Sequence, residues 1–141
     1  MEHAFRFLMH QTQKRHGIKC TLEVEDVIGG IKNRKLATNL YHVVQEAVKN
    51  AAMHGEAKNI SVSISITKPN GILVLAIKDN GEGMSHSAGE MNGKGLRIMK
   101  HRMELLGGTF KIENSPDANG KKTGTLVTCT VPHKNLMEED H

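Results

Sequence analysis

The chain has 141 residues, 38% of them apolar and 24% charged, which suits one folded domain with a hydrophobic core rather than a disordered chain. No run approaches the roughly 18 apolar residues that span a membrane, and no signal peptide is recognisable, so we expect a cytoplasmic domain without membrane contact of its own, with an anchor left open for a longer parent chain. The net charge of +4 comes from basic residues that are scattered along the chain. The chain has three Phe, one Tyr and no Trp, too few aromatic residues to stack on the bases of single-stranded nucleic acid, which argues against a nucleic-acid partner.

The first half of the chain alternates helices and strands. Residues 3–16 have apolar side chains near one side, which predicts a helix ending at Gly17. The stretch IKCTLEVEDV alternates apolar and polar residues and predicts a strand with one buried face. Residues 34–54 return to apolar spacings of three and four, which predicts a longer helix. NISVSISI then predicts a strand with one wet face.

The second half completes a sheet. ILVLAIKD is a more continuous apolar run and predicts a buried strand that pairs with NISVSISI. Residues 80–95 contain five glycines without periodicity, which predicts a flexible loop. LRIMKHRMELL predicts a helix that stops at Gly107, and GTFKIEN and TLVTCTV predict the last strands. The order α-β-α-β-β-α-β-β predicts an α+β, two-layer α/β sandwich, with about three helices on one face of a mixed sheet.

The longer helix carries a line of polar residues beside its apolar stripe. At about 100° per residue, Glu46, Asn50 and His54 lie one turn apart along the margin of the buried face, and Asn39 extends the line. A cleft between the helix and a covering loop would open at that margin. Taken alone, such a line is more often a solvated helix edge, because polar pairs at i, i+4 are common.

Two glycine clusters flank the flexible loop and favour a ligand site. The first follows Asp79 at the end of a buried strand, where glycine lets backbone amides approach a ligand. The second, GKGL, stands directly before a helix whose first amides and dipole favour an anion, and Lys94 adds charge. Each cluster alone is more often a plain turn, and neither matches a P-loop or a dinucleotide fingerprint.

Together, EAVKN, DNGEGM, GKGL and a later GT before a strand resemble the ATP-binding domain of the gyrase, chaperone, histidine kinase and MutL superfamily, called GHKL. Within it, the chain resembles the catalytic domain of bacterial sensor histidine kinases, in the subfamily with nitrate-sensor and thermosensor kinases. The resemblance implies a Bergerat-type ATP-binding fold. It also implies the end of a connecting helix (1–17) and the ATP-binding catalytic domain (18–132), and the polar residues from Pro132 onward predict a disordered tail (133–141).

The resemblance assigns the polar line of the helix to the phosphate end of ATP. It implies that Asn50 holds the Mg²⁺ that bridges the phosphates, and an amide oxygen is a hard, neutral ligand suited to that ion. Glu46 matches an acidic position that orients or deprotonates the attacking group, or binds a magnesium-bound water. His54 matches a position that contacts phosphate, with packing an equal alternative.

The strand ends and glycine clusters are assigned to the rest of the nucleotide. The resemblance implies that Asp79 accepts a hydrogen bond from the adenine amino group, and that Thr125 helps it, often through water. The other implied ATP contacts come from the two glycine clusters: Gly81, Gly83, Met84, Gly93, Lys94, Gly95 and Leu96. Residues 84–92 would form a mobile lid that closes over the γ-phosphate and excludes water.

These assignments predict an ATP-dependent protein histidine kinase that transfers the γ-phosphate to a histidine on a separate dimerisation domain. Its partners would be ATP, that phosphoacceptor domain and a response regulator. None of His3, His10 and His16 is followed by the acidic residue of a phosphoacceptor motif, so we expect a catalytic fragment of a longer kinase. Two alternatives stay open: an anti-sigma-factor-type serine kinase, and a non-catalytic nucleotide-binding interaction module.

Overall fold

A mixed sheet forms one layer of the computed structural model, which describes residues 1–53, 57–81, 94–116 and 122–136. Within these ranges the sheet has five strands: β1 (Lys19–Val24), β2 (Asn59–Ile66), β3 (Leu73–Asp79), β4 (Thr109–Pro116) and β5 (Lys122–Val131). Their order in the sheet is β1-β2-β3-β5-β4. The connection from β1 to β2 contains a crossover helix, so these strands are parallel, and the other neighbouring pairs are antiparallel.

Helices cover one face of this sheet. In the described part of the chain the three main ones are α1 (Glu2–His16), α2 (Arg34–Met53) and α3 (Lys94–Leu105), with a 3-10 helix (Asp26–Gly30) and a short last helix, α4 (His133–Leu136). The covered face carries the buried side chains of the central strands: Ile60, Val62, Ile64, Leu73, Leu75, Ile77, Val127, Cys129 and Val131. The predicted two-layer α+β fold is therefore confirmed.

The central helix, α2, forms where the apolar spacing predicts it. Asn33 caps it, because its Oδ1 accepts a hydrogen bond from the Leu36 N–H at 2.9 Å. Its buried face points at the sheet, α1 and α3, and consists of Leu36, Asn39, Leu40, Val43, Val44, Ala47, Val48 and Ala51. Burying each Leu or Val contributes about 1.5–3 kcal/mol. Packing on several sides therefore holds rigidly the helix that carries the polar line.

The helix α3 ends as predicted at the double glycine. Gly107 has φ +67°, a left-handed conformation that glycine adopts without strain. Its N–H donates to the Glu104 carbonyl, and the Gly108 N–H donates to the Met103 carbonyl at 2.9 Å. This turn sends the chain directly into β4. It also keeps Met103 in the core, where its side chain is fully buried.

The first helix packs on the same core as the rest of the chain. Phe5 is fully buried, and its ring stacks on that of Tyr41 in α2 with the ring centroids 6.2 Å apart. Met9 is also buried, and α1 contacts both α2 and β1. The role of residues 1–17 as the end of a connecting helix stays a prediction, but these residues are packed as part of the domain.

The C-terminal segment differs from the expected tail at 133–141. Its first four residues form α4, and Leu136 is only 2% exposed. Asn135 donates from Nδ2 to the Leu106 carbonyl at 2.7 Å, and its own carbonyl accepts from Asn33 Nδ2 at 3.2 Å. One apolar side chain and two long-range hydrogen bonds therefore hold the turn at 133–136, and the tail as a separate part of the chain stays a prediction. Residues 137–141 lie outside the described residues.

Candidate functional site

The register of the sheet places Asp79 and Thr125 side by side. Asp79 is the last residue of β3 and pairs with Ile60 on β2 and with Thr125 on β5. Directly paired residues point to the same face of a sheet. The Asp79 carboxylate and the Thr125 side chain therefore lie on the helix-covered face, where the apolar core stops.

Backbone N–H groups hold the Asp79 carboxylate in a partly buried position. Its Oδ1 accepts a hydrogen bond from the Gly81 N–H at 2.8 Å. Burial raises the pKa of Asp79, and hydrogen bonds from the backbone at Gly81 and Thr125 oppose that rise in part. The result is a carboxylate of fixed orientation and reduced hydration, which is suited to accept a hydrogen bond from a ligand.

The approach of β5 to Asp79 requires a glycine at position 124. Gly124 has φ +83°, and a Cβ there would overlap the backbone oxygen of Asp79 and lie 3.0 Å from the Asn80 Cα. Both neighbours are backbone atoms, so neither can move aside cheaply. The two residues of the GT pair therefore have different roles. Gly124 permits the close approach of the strands, and Thr125 faces the Asp79 carboxylate.

Asn80 fixes the turn that follows Asp79, a role that the sequence did not predict. Its Oδ1 accepts hydrogen bonds from the N–H groups of Lys58 and Asn59, both at 2.8 Å. The Asn80 N–H donates back to the Asn59 carbonyl at 3.2 Å. The start of β2 is therefore bonded to the end of β3. The Ala57 N–H donates to the Ala51 carbonyl at 3.2 Å, so the segment before β2 is also bonded to α2.

The polar line of α2 meets the first turn of α3. A Cβ built on Gly95 would lie 2.8 Å from Glu46 Oε2 and 3.4 Å from Asn50 Nδ2. Both side chains therefore point at the helix start where GKGL predicted an anion site. Lys94, at the start of this turn, is exposed, and Leu96 is half-buried.

The same two helices touch again farther along. Arg102 of α3 donates from Nη1 to Asn39 Oδ1 of α2 at 3.2 Å. Asn39 is 5% exposed, and its Nδ2 donates to the Lys35 carbonyl at 2.9 Å. The sequence placed Asn39 on the polar line but named no partner for it. One feature of the sequence could have indicated this contact: Gly95 and Arg102 are seven residues apart, which puts both on one face of α3.

The structure brings together Glu46, Asn50, Lys94, Gly95 and Leu96 at one place, and Asp79, Gly81 and Thr125 at another. The chain between Gly81 and Lys94 joins the two groups. The remaining predicted positions, His54, Gly83, Met84 and Gly93, lie outside the described residues, as does the expected lid. None of the helices in the described ranges is both long and apolar enough to cross a membrane.

Sequence comparison assigns this fold to a class of ATPase domains. The family described as Histidine kinase-, DNA gyrase B-, and HSP90-like ATPase matches residues 35–135, so the chain belongs to this family. The chain is 38% identical over 112 residues to the signal transduction histidine-protein kinase/phosphatase DegS of Bacillus subtilis, covering 74% of this chain and 27% of that protein. It is 32% identical over 127 residues to the nitrate/nitrite sensor protein NarQ of Escherichia coli, covering 90% of this chain and 21% of that protein. The domain is thus of the sensor histidine kinase type, and the predicted resemblance is confirmed.

Solved structures agree on the fold. The ATP-binding domain of PrrB from Mycobacterium tuberculosis superimposes with a TM-score of 0.68 at 22% identity, covering 92% of this chain and 91% of that chain. The two curated relatives are longer, and the chain spans 21–27% of their length. These similarities do not favour the serine-kinase alternative or the non-catalytic module.

Proposed function

We propose that this domain binds ATP with Mg²⁺ and acts as the catalytic domain of a cytoplasmic sensor histidine kinase. The observation that carries the proposal is the meeting of Glu46 and Asn50 with the first turn of α3, in a chain of the sensor-kinase type. The first N–H groups of a helix lack internal partners and favour an anion. Phosphates at that turn would meet backbone donors, the charge of Lys94 and an amide side chain together.

The adenine end of the nucleotide is assigned to Asp79. Its carboxylate would accept a hydrogen bond from the adenine amino group, whereas guanine carries a carbonyl at the equivalent place. Leaving a buried acceptor without its partner costs about 1–3 kcal/mol, so ATP should be preferred over GTP. Thr125 would support the carboxylate from the neighbouring strand, and Gly81 and Gly83 would leave room for the base and the ribose.

Asn50 is assigned as the protein ligand of Mg²⁺. The donors at this place fit the ion, because the Asn50 amide oxygen and the nearby Glu46 carboxylate are both hard oxygen donors. Mg²⁺ bound with a nucleotide takes few protein ligands and keeps phosphate oxygens and waters as the others. When bound, the ion would offset the negative charge that the phosphates bring to the site.

Glu46 is assigned to the attacking group. It would orient the imidazole of the phosphoacceptor histidine, or take its proton as the nitrogen–phosphorus bond forms and ADP leaves. The same face of α2 therefore serves the ion through Asn50 and the acceptor through Glu46. His54, Met84, Gly93 and the lid at 84–92 stay predicted contacts of the phosphates.

The partners of the domain follow from its type. The phosphoacceptor histidine would belong to a dimerisation domain of the parent kinase, and a response regulator would receive the phosphoryl group afterwards. Alone, the domain should bind ATP and hydrolyse it slowly at best. Transfer requires the acceptor domain, supplied in trans where the two are expressed separately.

The decisive experiment is calorimetric titration with ATP, ADP and GTP, each with and without Mg²⁺. We expect GTP to bind at least about tenfold more weakly than ATP, because Asp79 would lose its donor. Mg²⁺ should strengthen binding of ATP more than binding of ADP. Equal affinity for ATP and GTP would contradict the role of Asp79, and a protein that binds no nucleotide would contradict the proposed function.

A further inference from the structure

Among the described residues, polar side chains of α2 meet α3 at two places, one of which lies at the proposed phosphate site. At the start of α3, Gly95 lies against Glu46 and Asn50. Seven residues later, Arg102 donates to Asn39. The helices run antiparallel, since the later residue of α3 meets the earlier residue of α2. At about 1.5 Å per residue, the two contacts are about 10 Å apart along α3.

Between Gly95 and Arg102, apolar packing defines the position of α3 along α2 only weakly. The buried residues of α3 are Met99 and Met103, both fully covered. Methionine is flexible and adapts to irregular gaps, so it tolerates small displacements of a helix along its neighbour. Apolar burial is also non-directional. A directional contact between the helices therefore adds to the turn at Gly107 and Gly108 in holding α3 at one position on α2.

The contact between Arg102 and Asn39 has the properties required for this task. Asn39 is almost fully buried and cannot turn freely, because its Nδ2 donates to the Lys35 carbonyl of its own helix. Its Oδ1 is therefore held in place for a donor. The guanidinium of Arg102 is planar and offers donors in a fixed geometry. A charged donor also makes a stronger hydrogen bond than a neutral one.

We propose that Arg102 is a positioning residue for the phosphate end of the site. By bonding Asn39, it fixes the position of α3 along α2 and so aligns the first N–H groups of α3 with Glu46 and Asn50. Arg102 acts through Gly95 and not on the ligand, because it lies two helical turns from that first turn. This inference rests on the proposed function, since it assigns those N–H groups to nucleotide phosphates.

The contact at Gly95 makes the alignment sensitive to small shifts. The Cα hydrogen that a Cβ would replace faces the Glu46 carboxylate, since the site of that Cβ is 2.8 Å from Oε2. A small shift of α3 along α2 therefore changes how its first turn meets Glu46 and Asn50. Without the bond between Arg102 and Asn39, the C-terminal turn and apolar packing still hold α3, but its first N–H groups can sample positions that no longer converge with Asn50.

The test compares Arg102→Met with Lys100→Met. The first variant keeps an apolar stem and removes the donor, and the second removes a charge from an exposed position of the same helix. Each protein is titrated with ATP and Mg²⁺, and separately with adenosine, which has no phosphates. We expect Arg102→Met to weaken ATP binding about five- to tenfold and adenosine binding less than twofold, with Lys100→Met unchanged.

A second measurement does not depend on nucleotide. The Gly95 α-hydrogens and the Asn50 side-chain amide are close enough for a nuclear Overhauser effect in the free protein. We expect this cross-peak in the wild type and in Lys100→Met, and its loss or weakening in Arg102→Met. Arg102→Lys should recover part of the peak and of the ATP affinity. Asn39→Ala should reproduce the loss, without adding to it in the double variant.

Each outcome separates this inference from the proposed function. A wild-type protein that binds no ATP would contradict the function, whereas an unchanged cross-peak in Arg102→Met would overturn the positioning role by itself. Equal weakening of ATP and adenosine would also overturn it, because general loosening of the domain would then explain the effect. If Arg102→Met does not fold, Arg102→Lys and Asn39→Ala decide the matter by the same two readouts.

Discussion

A methyl group at position 95 should impair the site while leaving the fold intact. In Gly95→Ala the new Cβ would lie 2.8 Å from Glu46 Oε2, closer than the 3.0 Å below which one of the two groups must move. The group in the way is the end of a flexible side chain and not backbone, so Glu46 can swing aside at small cost. The added Cβ would also lie 3.4 Å from Asn50 Nδ2, which is a tolerable contact.

The stability of Gly95→Ala should change little. Alanine in place of glycine within a helix gains at most about 1 kcal/mol, and position 95 lies in the first turn, where the gain is smaller. Displacing Glu46 opposes this gain. We therefore expect the free energy of unfolding to stay within about 1 kcal/mol of the wild type, measured by urea denaturation.

Phosphotransfer by Gly95→Ala should fall much further. Misplacing a catalytic group by about 1 Å can cost about a hundredfold in rate, so a smaller displacement of Glu46 predicts a loss of about ten- to a hundredfold. The assay follows transfer from labelled ATP to a separately expressed phosphoacceptor domain. Gly29→Ala is the matched control, because a Cβ there would have no heavy atom within 4 Å. Full activity in Gly95→Ala, or a loss that parallels unfolding, would refute this reasoning.

Three further substitutions test other parts of the site. Asp79→Asn should weaken ATP binding about tenfold or more in calorimetry, because it loses the charged acceptor of the adenine. Burial raises the pKa of Asp79 above its ordinary value of 3.8. Between the ordinary and the raised pKa, this carboxyl group is protonated more in the folded protein than in the unfolded chain. Its contribution to stability therefore falls as pH rises through that window. The difference in unfolding free energy between Asp79→Asn and the wild type should therefore shift in favour of the variant as pH rises, and a constant difference would count against the raised pKa. Asn50→Ala should abolish transfer to the acceptor domain with an unchanged circular dichroism spectrum, and normal transfer would exclude its magnesium role. Gly124→Ala should lower the unfolding free energy by more than about 2 kcal/mol, since it combines strain at φ +83° with overlap on the Asp79 backbone, and a stable variant would show that β5 can retreat.

The elements that could be predicted from the sequence are those with a local period. The spacing of Leu36, Leu40 and Val43 predicted α2, and the alternation of NISVSISI predicted β2, because burial on one face leaves a regular trace in both cases. The polar line was visible for the same reason. Its placement against α3 could not be predicted, because periodicity shows which face of a helix is covered but not which element covers it.

The contacts that could not be predicted join residues far apart in the chain. Arg102 and Asn39 are 63 positions apart, and Asn80 and Lys58 are 22 apart. A hydrogen bond of this kind depends on the final packing and leaves no repeating pattern. The short helix α4 was missed for a related reason, since a single buried Leu136 in a polar segment has no period. These contacts set the geometry of the site, although its chemical groups could be named in advance.

The two halves of the proposed site are held by different physical means. Asp79 is fixed by strand pairing, by the Gly81 N–H and by the close approach at Gly124, all of which involve backbone atoms. The phosphate half depends on how the first turn of α3 lies on α2, where side chains make the contacts. Backbone contacts in a sheet resist displacement more than methionine packing between helices does. Substitutions on α3 should therefore change affinity for the phosphates without changing affinity for the base, and adenosine and ATP titrated side by side measure the two halves separately.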